Sequence, residues 1–458
     1  MNRRSEHRCR HRGGRIVAAA LLGISLSAFF LPSPVAAAEA ETLRNAAGKP
    51  IRFAGNLQAA PVRIPSYVPR TREFRGVWVA TVENIDFAAH ADADSFKRDY
   101  LQLVDNLARM HFNAVIFQLR PMCDAFYPSA HAPWSRWLTG SEGTPLRSRA
   151  PFDPLDFMVR EAHRRGLEFH AWLNPYRVVG STKLSKSEYL ARLHPRNFAR
   201  RRPDLVLAIP IGGGKNNLVL NPGEQAVIRH IAAVVQEIVG RYPVDAIHFD
   251  DYFYPFAPIG NADQAAWNKY TPKRLSITDW RRENVTTAIR TVSSVIRREN
   301  AATGRRVRFG VSPFGIWANR SSSPVGSLTG GRESRNDQYA DTLLWVRQGY
   351  IDYIVPQLYW EFNHGTAAYA ALTSWWSNAV RGTQVELYIG HALYRIGSSP
   401  DWHSMEVPNQ LRYDQLYPEI KGEVLYSYHH LFDRRNKAKA GSIDIILHRF
   451  WRNPAKVR

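Results

Sequence analysis

The stretch DAIHFDDYFYP, residues 245–255, sets two adjacent carboxylates, Asp250 and Asp251, at the end of a short apolar run and in front of a cluster of aromatics. Paired carboxyl groups are the chemistry of glycosidic hydrolysis, in which one protonates the leaving oxygen and the other serves as nucleophile or as base for water. Asp250 suits one of these roles. The other stays open among Asp251, Glu361, Asp124 and Asp86. Each has a plain structural alternative: Asp251 as the ion-pair partner of Arg120 or Arg177, Glu361 as an exposed loop acid, Asp86 as the cap of a turn.

Carboxylates need a scaffold to hold them, and the chain supplies a rhythm of short apolar runs. They occur at GVWVATV (76–82), AVIFQLRP (114–121), LEFHAWLNPY (167–176), AIHFDDYF (246–253), VRFGVSPFG (307–315), IDYIVPQLYW (351–360), VELYIGHALY (385–394) and EVLYSYHHL (423–431). Segments with apolar residues at i, i+3, i+4 and i+7 lie between them at 95–111, 153–166, 224–242, 280–300 and 339–350, several preceded by Asp or Ser. Strands alternating with helices imply a parallel sheet, and eight such units imply a closed (β/α)8 barrel, a TIM barrel, with extended loops after strands 3 and 4. The alternative is a doubly wound open sheet.

In a parallel barrel, side chains alternate between the interior and the helix layer, and the interior positions nearest the C-terminal strand ends open onto the active-site face. On the fourth run Ile247 and Phe249 face outward, which turns His248 and Asp250 inward. The second sends Gln118 and Arg120 inward, with Asp124 beyond. The third sends His170, Trp172 and Asn174 inward, followed by Tyr176 and Arg177. The sixth sends Gln357 and Tyr359 inward, with Trp360 and Glu361 at the exit. Isolated buried charges are costly, so polar residues repeated at strand exits must be solvated or paired around a cleft. Carboxylates, Arg, amides and aromatics together suit a sugar, whose faces stack on rings and whose hydroxyls bond to polar side chains.

Composition narrows the classes. With 45% hydrophobic and 12% aromatic residues the chain is globular. Residues 1–15 carry six arginines, 16–31 are apolar and 32–40 end in small residues, which reads as a secretory signal cleaved after Ala38; the apolar run is too short to span a membrane. Residues 39–71, rich in proline, read as a linker or lead-in, and 72–458 as the barrel. Cys9 leaves with the signal, so Cys123 remains as a lone thiol and no lipid-attachment cysteine is present. Removing the signal takes five charges from the formal +21 and leaves about +16, which favours anionic partners such as acidic wall polymers or a membrane surface. Nucleic acid is not expected, for want of a basic run interleaved with aromatics. IGGGKNN (211–217) lacks the spacing of a phosphate loop and reads as a hairpin tip on an inserted loop. No cofactor is expected. His170, His248 and Asp250 could mark a metal site, but H-E-x-x-H and Cys-based ligand patterns are absent.

The blocks EFRGVWVATVENIDF, FNAVIFQLRPMCDAFYPS, APWSRWLTG, FHAWLNPYRV, DAIHFDDYFYP, FGVSPFGIWAN and IDYIVPQLYW closely resemble, in order, the motifs of the glycosyl-hydrolase-like family 10, over residues 72 to about 395. The resemblance implies a (β/α)8 barrel, an envelope location and glycoside hydrolysis, in some members of peptide-free peptidoglycan glycan. Carried over by position, it puts catalysis on Asp250 and Asp251; Glu361 stays a third catalytic candidate from its place at the sixth strand exit. It makes Gln118, Arg120, Asp124, Asn174, Arg177, Gln357 and Tyr359 plausible subsite residues, and His170, Trp172, Tyr176, His248, Tyr252, Trp317 and Trp360, at or near the strand exits, complete the candidate substrate-binding set. The alternatives are a catalytically silent glycan-binding protein that recruits septal partners and a metal-dependent polysaccharide hydrolase or deacetylase.

Overall fold

The computed structural model describes residues 40–55, 58–270 and 274–457; the signal segment and its expected cleavage position lie outside the described residues. Eight strands close into an all-parallel barrel: β1 (Phe74–Val79), β2 (Ala114–Arg120), β3 (Glu168–Leu173), β4 (Ala246–Phe249), β5 (Arg308–Val311), β6 (Tyr353–Ile354), β7 (Glu386–Ala392) and β8 (Ile420–Tyr426). Each coincides with one of the eight apolar runs. A helix follows every strand: α1 (Ala93–Arg109), α2 (Pro154–His163), α3 (Gln225–Arg241), α4 (Ile277–Thr303), α5 (Thr342–Arg347), α6 (Tyr369–Val380), α7 (Glu406–Asp414) and α8 (Lys437–Ile445). The fold is a (β/α)8 barrel. Among the described residues no helix is long and apolar enough to cross a membrane.

Local sequence explains the starts and stops. The Asp92 side chain accepts from Ser95 N at the head of α1, and Asp153 accepts from Leu155 N and Asp156 N ahead of Pro154 at the head of α2. Such caps occupy backbone donors that a first helical turn otherwise leaves unpaired. The alternation of strand side chains also holds over most of the barrel. Val115, Phe117, Phe169, Ala171, Ile247, Phe249 and Ile354 join the core shared with the helices, whereas Phe74, Trp78, Ile116, Trp172, Tyr353 and Tyr388 fill the interior. Across the interior the Phe74 and Tyr388 rings stack at 4.1 Å. A Cβ on Gly310 would lie 1.9 Å from Tyr353 Cζ, so only glycine at this point of β5 lets the Tyr353 ring cross the barrel.

Two departures matter for the site. The β2–β3 register shifts between Gln118 and Arg120, and this bulge carries Arg120 out of the alternation. The loops also differ from expectation in distribution. The segment after β3 does build a wall: strands Arg177–Thr182, Lys215–Leu220 and Val206–Gly212 form an antiparallel sheet with the Lys215–Leu220 strand in the middle. Its hairpin turns at Gly213 and Gly214, with φ of +59° and +67°, as the glycine run suggested. The segment after β4 is extended as well, but those after β2 (121–153) and β5 (312–341) are of comparable length.

Ahead of the barrel, the lead-in carries a short antiparallel ladder, Glu41–Thr42 against Arg63–Ile64, with Leu43, Ile51, Val62 and Ile64 buried. Arg412 on α7 donates to Pro65 O at 2.7 Å and pairs with Glu41 at 2.7 Å, tying the lead-in to the helix layer.

Candidate active site

The C-terminal strand ends open into a cleft of about 690 Å³. Its floor combines Trp78 from β1, Gln118 from β2, Trp172 from β3 and Ser312 just after β5. One wall is an aromatic chain in edge-on contact, Tyr252 to Phe256 to Phe314 to Trp360, with centroid separations of 5.4, 6.0 and 5.3 Å. The other joins Trp78, Tyr426, Tyr359 and Tyr394 at 5.8 to 6.1 Å. Asn217 and Ile211 of the inserted sheet overhang the cleft together with Arg177. Rings of this kind give flat apolar platforms with polar edges, which suits pyranose faces.

Asp250 and Asp251 lie at the centre, at the exit of β4. The Asp250 carboxylate accepts from Trp172 Nε1 at 3.0 Å, from Asn174 Nδ2 at 3.1 Å and from Tyr252 N at 3.3 Å. Burial pushes its pKa up, while the nearby Arg177 charge and these donors pull the other way. Asp251 has a different environment. Burial and the charge of Asp250 push it up to about 7, against weaker support from Gln357 and Arg177. Donors to the charged form favour ionisation. Asp250 is therefore the member of the pair that ionises first, and Asp251 the member that keeps its proton near neutrality. Arg177 stacks over the Tyr252 ring at 4.0 Å, and among the described residues it forms no direct ion pair with either acid.

Of the residues singled out in the sequence, Asp250, Asp251, Gln118, Trp172, Arg177, Tyr252, Gln357, Tyr359 and Trp360 line the cleft. Gln118 Oε1 accepts from Thr81 N at 3.0 Å and Val82 N at 2.9 Å, fixing the loop after β1. Gln357 Nε2 donates to Ser312 O at 2.9 Å. Asn174 does not line the cleft; it sits behind Asp250 and holds it, while its Oδ1 accepts from Arg177 N at 3.0 Å.

The remaining expectations need correction. Arg120, displaced by the bulge, is buried, donates to Asn174 O at 2.6 Å and pairs with neither catalytic candidate. Asp124 is buried, accepting from Ser135 Oγ at 2.6 Å and Met122 N at 3.0 Å, and desolvation pushes it up to about 6. Tyr176 is buried in the apolar core. Trp317 turns from the cleft, donates to Asp341 Oδ1 at 3.0 Å and stacks on Trp375. Glu361 does not line the cleft; its charge bears on Glu406 of α7, behind the wall. Asp86 takes its alternative role, accepting from Ala80 N at 2.8 Å and from Ser427 Oγ at 2.8 Å, so that it ties the β1 exit to the β8 exit.

His170 and His248 do face inward, but below the cleft. The Trp78 Nε1 proton points at His248 Nε2 at 3.2 Å, so that nitrogen is unprotonated and Nδ1–H faces Tyr353 OH at 3.1 Å. Tyr353 OH in turn meets His170 Nδ1 at 2.8 Å, and His170 Nε2 meets Glu168 at 3.0 Å. Burial depresses both imidazoles, His248 strongly. With both rings committed to Tyr353 and Asp250 to Trp172 and Asn174, the three do not converge as metal ligands. Cys123 is buried and its thiol is pushed up to about 11, the state of an unreactive core thiol.

Sequence reasoning passed over Trp78, Glu83, Ser312, Phe314, Tyr394, Arg395 and Tyr426, all of which line the cleft. The inward alternation of β1, β7 and β8 could have pointed to Trp78 and Tyr426. Glu83 could not be read this way: it is exposed on the loop after β1, with a left-handed backbone at φ +54°.

The sequence pattern described as glycosyl hydrolase-like 10 matches residues 73–405. The chain belongs to that family. Glycosyl hydrolase YngK of Bacillus subtilis (strain 168) is 40% identical over 396 residues, covering 84% of this chain and 73% of the relative. Glycosyl hydrolase DigH of Escherichia coli (strain K12) is 36% identical over 384 residues, covering 78% and 83%. The catalytic domain of β-amylase from Paenibacillus polymyxa shares the fold, with a TM-score of 0.50 at 10% identity over 83% of this chain and 99% of that one. The glycosyl hydrolase-like 10 chain is thus a glycosidase by class, and the ordered motifs of its sequence fall within the matched span.

Proposed function

We propose that this glycosyl hydrolase-like 10 enzyme is exported and hydrolyses peptidoglycan glycan stripped of its peptides, with Asp251 as general acid and Asp250 as its ionised partner. The observation that carries the reading is the unequal pair at the β4 exit, one acid held by three N–H donors and the other pushed up to about 7. Asp251 donates its proton to the glycosidic oxygen as the bond to the anomeric carbon breaks. The Asp250 carboxylate faces the positive charge that develops on the ring. Water supplies hydroxide to the anomeric carbon, and its other proton restores Asp251.

Three features support an anionic, polymeric glycan. Arg177 and Arg395 line the cleft, and among the described residues neither is in an ion pair, so both are free to meet lactyl carboxylates. Two aromatic chains line the cleft that holds the acid pair, which suits successive rings of a strand rather than a single sugar. The basic net charge and the secretory pattern of residues 1–38 fit an acidic wall polymer met outside the cytoplasm. The test is release of reducing ends from peptide-free glycan strands by wild type and Asp250→Asn. A loss of at least about 1,000-fold is expected. Equal rates would remove Asp250 from the mechanism, and faster cleavage of peptide-bearing strands would remove the substrate assignment.

A further inference from the structure

Behind the wall that carries Tyr394, Arg395 and Tyr426, the outer faces of β7 and β8 bury a second constellation. His391 on β7, Glu423 on β8 and Asp414 at the end of α7 each offer a ligand atom, all within 4.8 Å of one another and all shielded from solvent. His391 Nε2 lies 2.7 Å from Glu423 Oε2 and 3.6 Å from Asp414 Oδ2.

The hydrogen-bond inventory of this group does not close. His391 Nδ1 faces the carbonyl Oε1 of Gln410 at 3.0 Å, because Gln410 Nε2 is already committed to Trp360 O at 3.2 Å and Glu406 Oε1 at 3.1 Å. Nδ1 must then carry a proton. Nε2 faces two carboxylates, and a single N–H can serve only one of them. Asp414 Oδ2 receives Tyr369 OH at 2.6 Å, while Asp414 Oδ1 is fully buried without any hydrogen-bond partner. Two buried carboxyl groups side by side must either share a proton or hold a positive charge between them.

We propose that His391, Asp414 and Glu423 bind a divalent transition-metal ion of the zinc type, in a structural site that clamps β7, β8 and α7. Tetrahedral bonds of about 2.0–2.1 Å place ligands about 3.3 Å apart, and the two separations at His391 Nε2, 2.7 and 3.6 Å, straddle that spacing. Asp414 Oδ1, buried on the same carboxylate, has no hydrogen bond to give up on binding an ion. The surroundings are those of a metal ligand shell: the other imidazole nitrogen donates to a carbonyl, and a tyrosine hydroxyl fixes the Asp carboxylate. One imidazole nitrogen and carboxylate oxygens suit zinc or a neighbouring first-row ion better than magnesium or calcium. Gln410 links the ion to the cleft through Trp360 O, so the clamp bears on the wall beside the subsites.

The test uses the full chain made without a polyhistidine tag in zinc-supplemented medium, with first-row metals counted by plasma mass spectrometry. About one equivalent of a divalent ion per chain is expected, with a melting temperature that falls on treatment with dipicolinate and recovers with Zn²⁺ but not Mg²⁺. Asp414→Asn, which keeps the shape of the side chain, should lower metal content at least about tenfold. Wild-type protein holding less than about one-tenth of an equivalent, with a melting temperature indifferent to both Zn²⁺ and chelator, would overturn the proposal and leave a proton-sharing triad in its place.

Discussion

Asp251→Asn should make the protein less active and more stable, and the gain should grow with pH. The unfolded carboxyl titrates near 3.8 and the folded one near 7. Between those values the folded state holds a proton that the unfolded state has released, so wild-type stability falls as pH rises through the window. At about 1.4 kcal/mol per tenfold, the wild type loses under about 1 kcal/mol to this group at pH 4 and, as an upper bound, about 4 kcal/mol at pH 8. Asparagine does not titrate and escapes the loss. For a chain of this length about 1 kcal/mol corresponds to about 1 °C, so calorimetry should find the variant ahead by a few degrees at pH 8 and nearly level at pH 4. Any constant penalty from the altered group cancels in the comparison across pH. A difference that stays flat from pH 4 to pH 8 would refute the displaced titration of Asp251, and with it the reason for choosing it as the acid.

A protonated Asp251 is needed for a poor leaving group only. Asp251→Asn should lose at least about 100-fold in kcat on glycan but much less on an aryl glycoside with an acidic phenol, and equal losses on both would deny the acid role. Trp172→Phe removes one N–H from Asp250 and should lower kcat about 10- to 100-fold with little change in KM, while the acid limb of the pH profile moves upward. Glu361→Gln, at a side chain outside the cleft, should keep kcat/KM within about threefold; a larger fall would return Glu361 to the mechanism.

The barrel was legible because its strands are dense apolar runs and because alternation is a rigid consequence of strand geometry. The Ile247/Phe249 pair told correctly that His248 and Asp250 face inward. Alternation gives direction but not depth: His170 and His248 point inward, yet they sit beneath Trp78 and bond to Tyr353. It also fails at a bulge, where one displaced residue sends Arg120 toward Asn174 O rather than into the barrel. Loop residues carry no such period. Trp317 and Tyr176 lie just past strand ends and turn into the core, while Glu83, Phe314 and Arg395 reach the cleft from loops whose paths only tertiary packing decides.

The most direct measurement is hydrolysis of defined peptide-free glycan strands in ¹⁸O-labelled water, with products weighed by mass spectrometry. Hydrolysis at the β4 pair predicts shorter strands carrying one ¹⁸O at each new reducing end with wild type, and none above background with Asp250→Asn or Asp251→Asn. Uncut strands, unlabelled anhydro products, or labelled products that persist in both variants would contradict it.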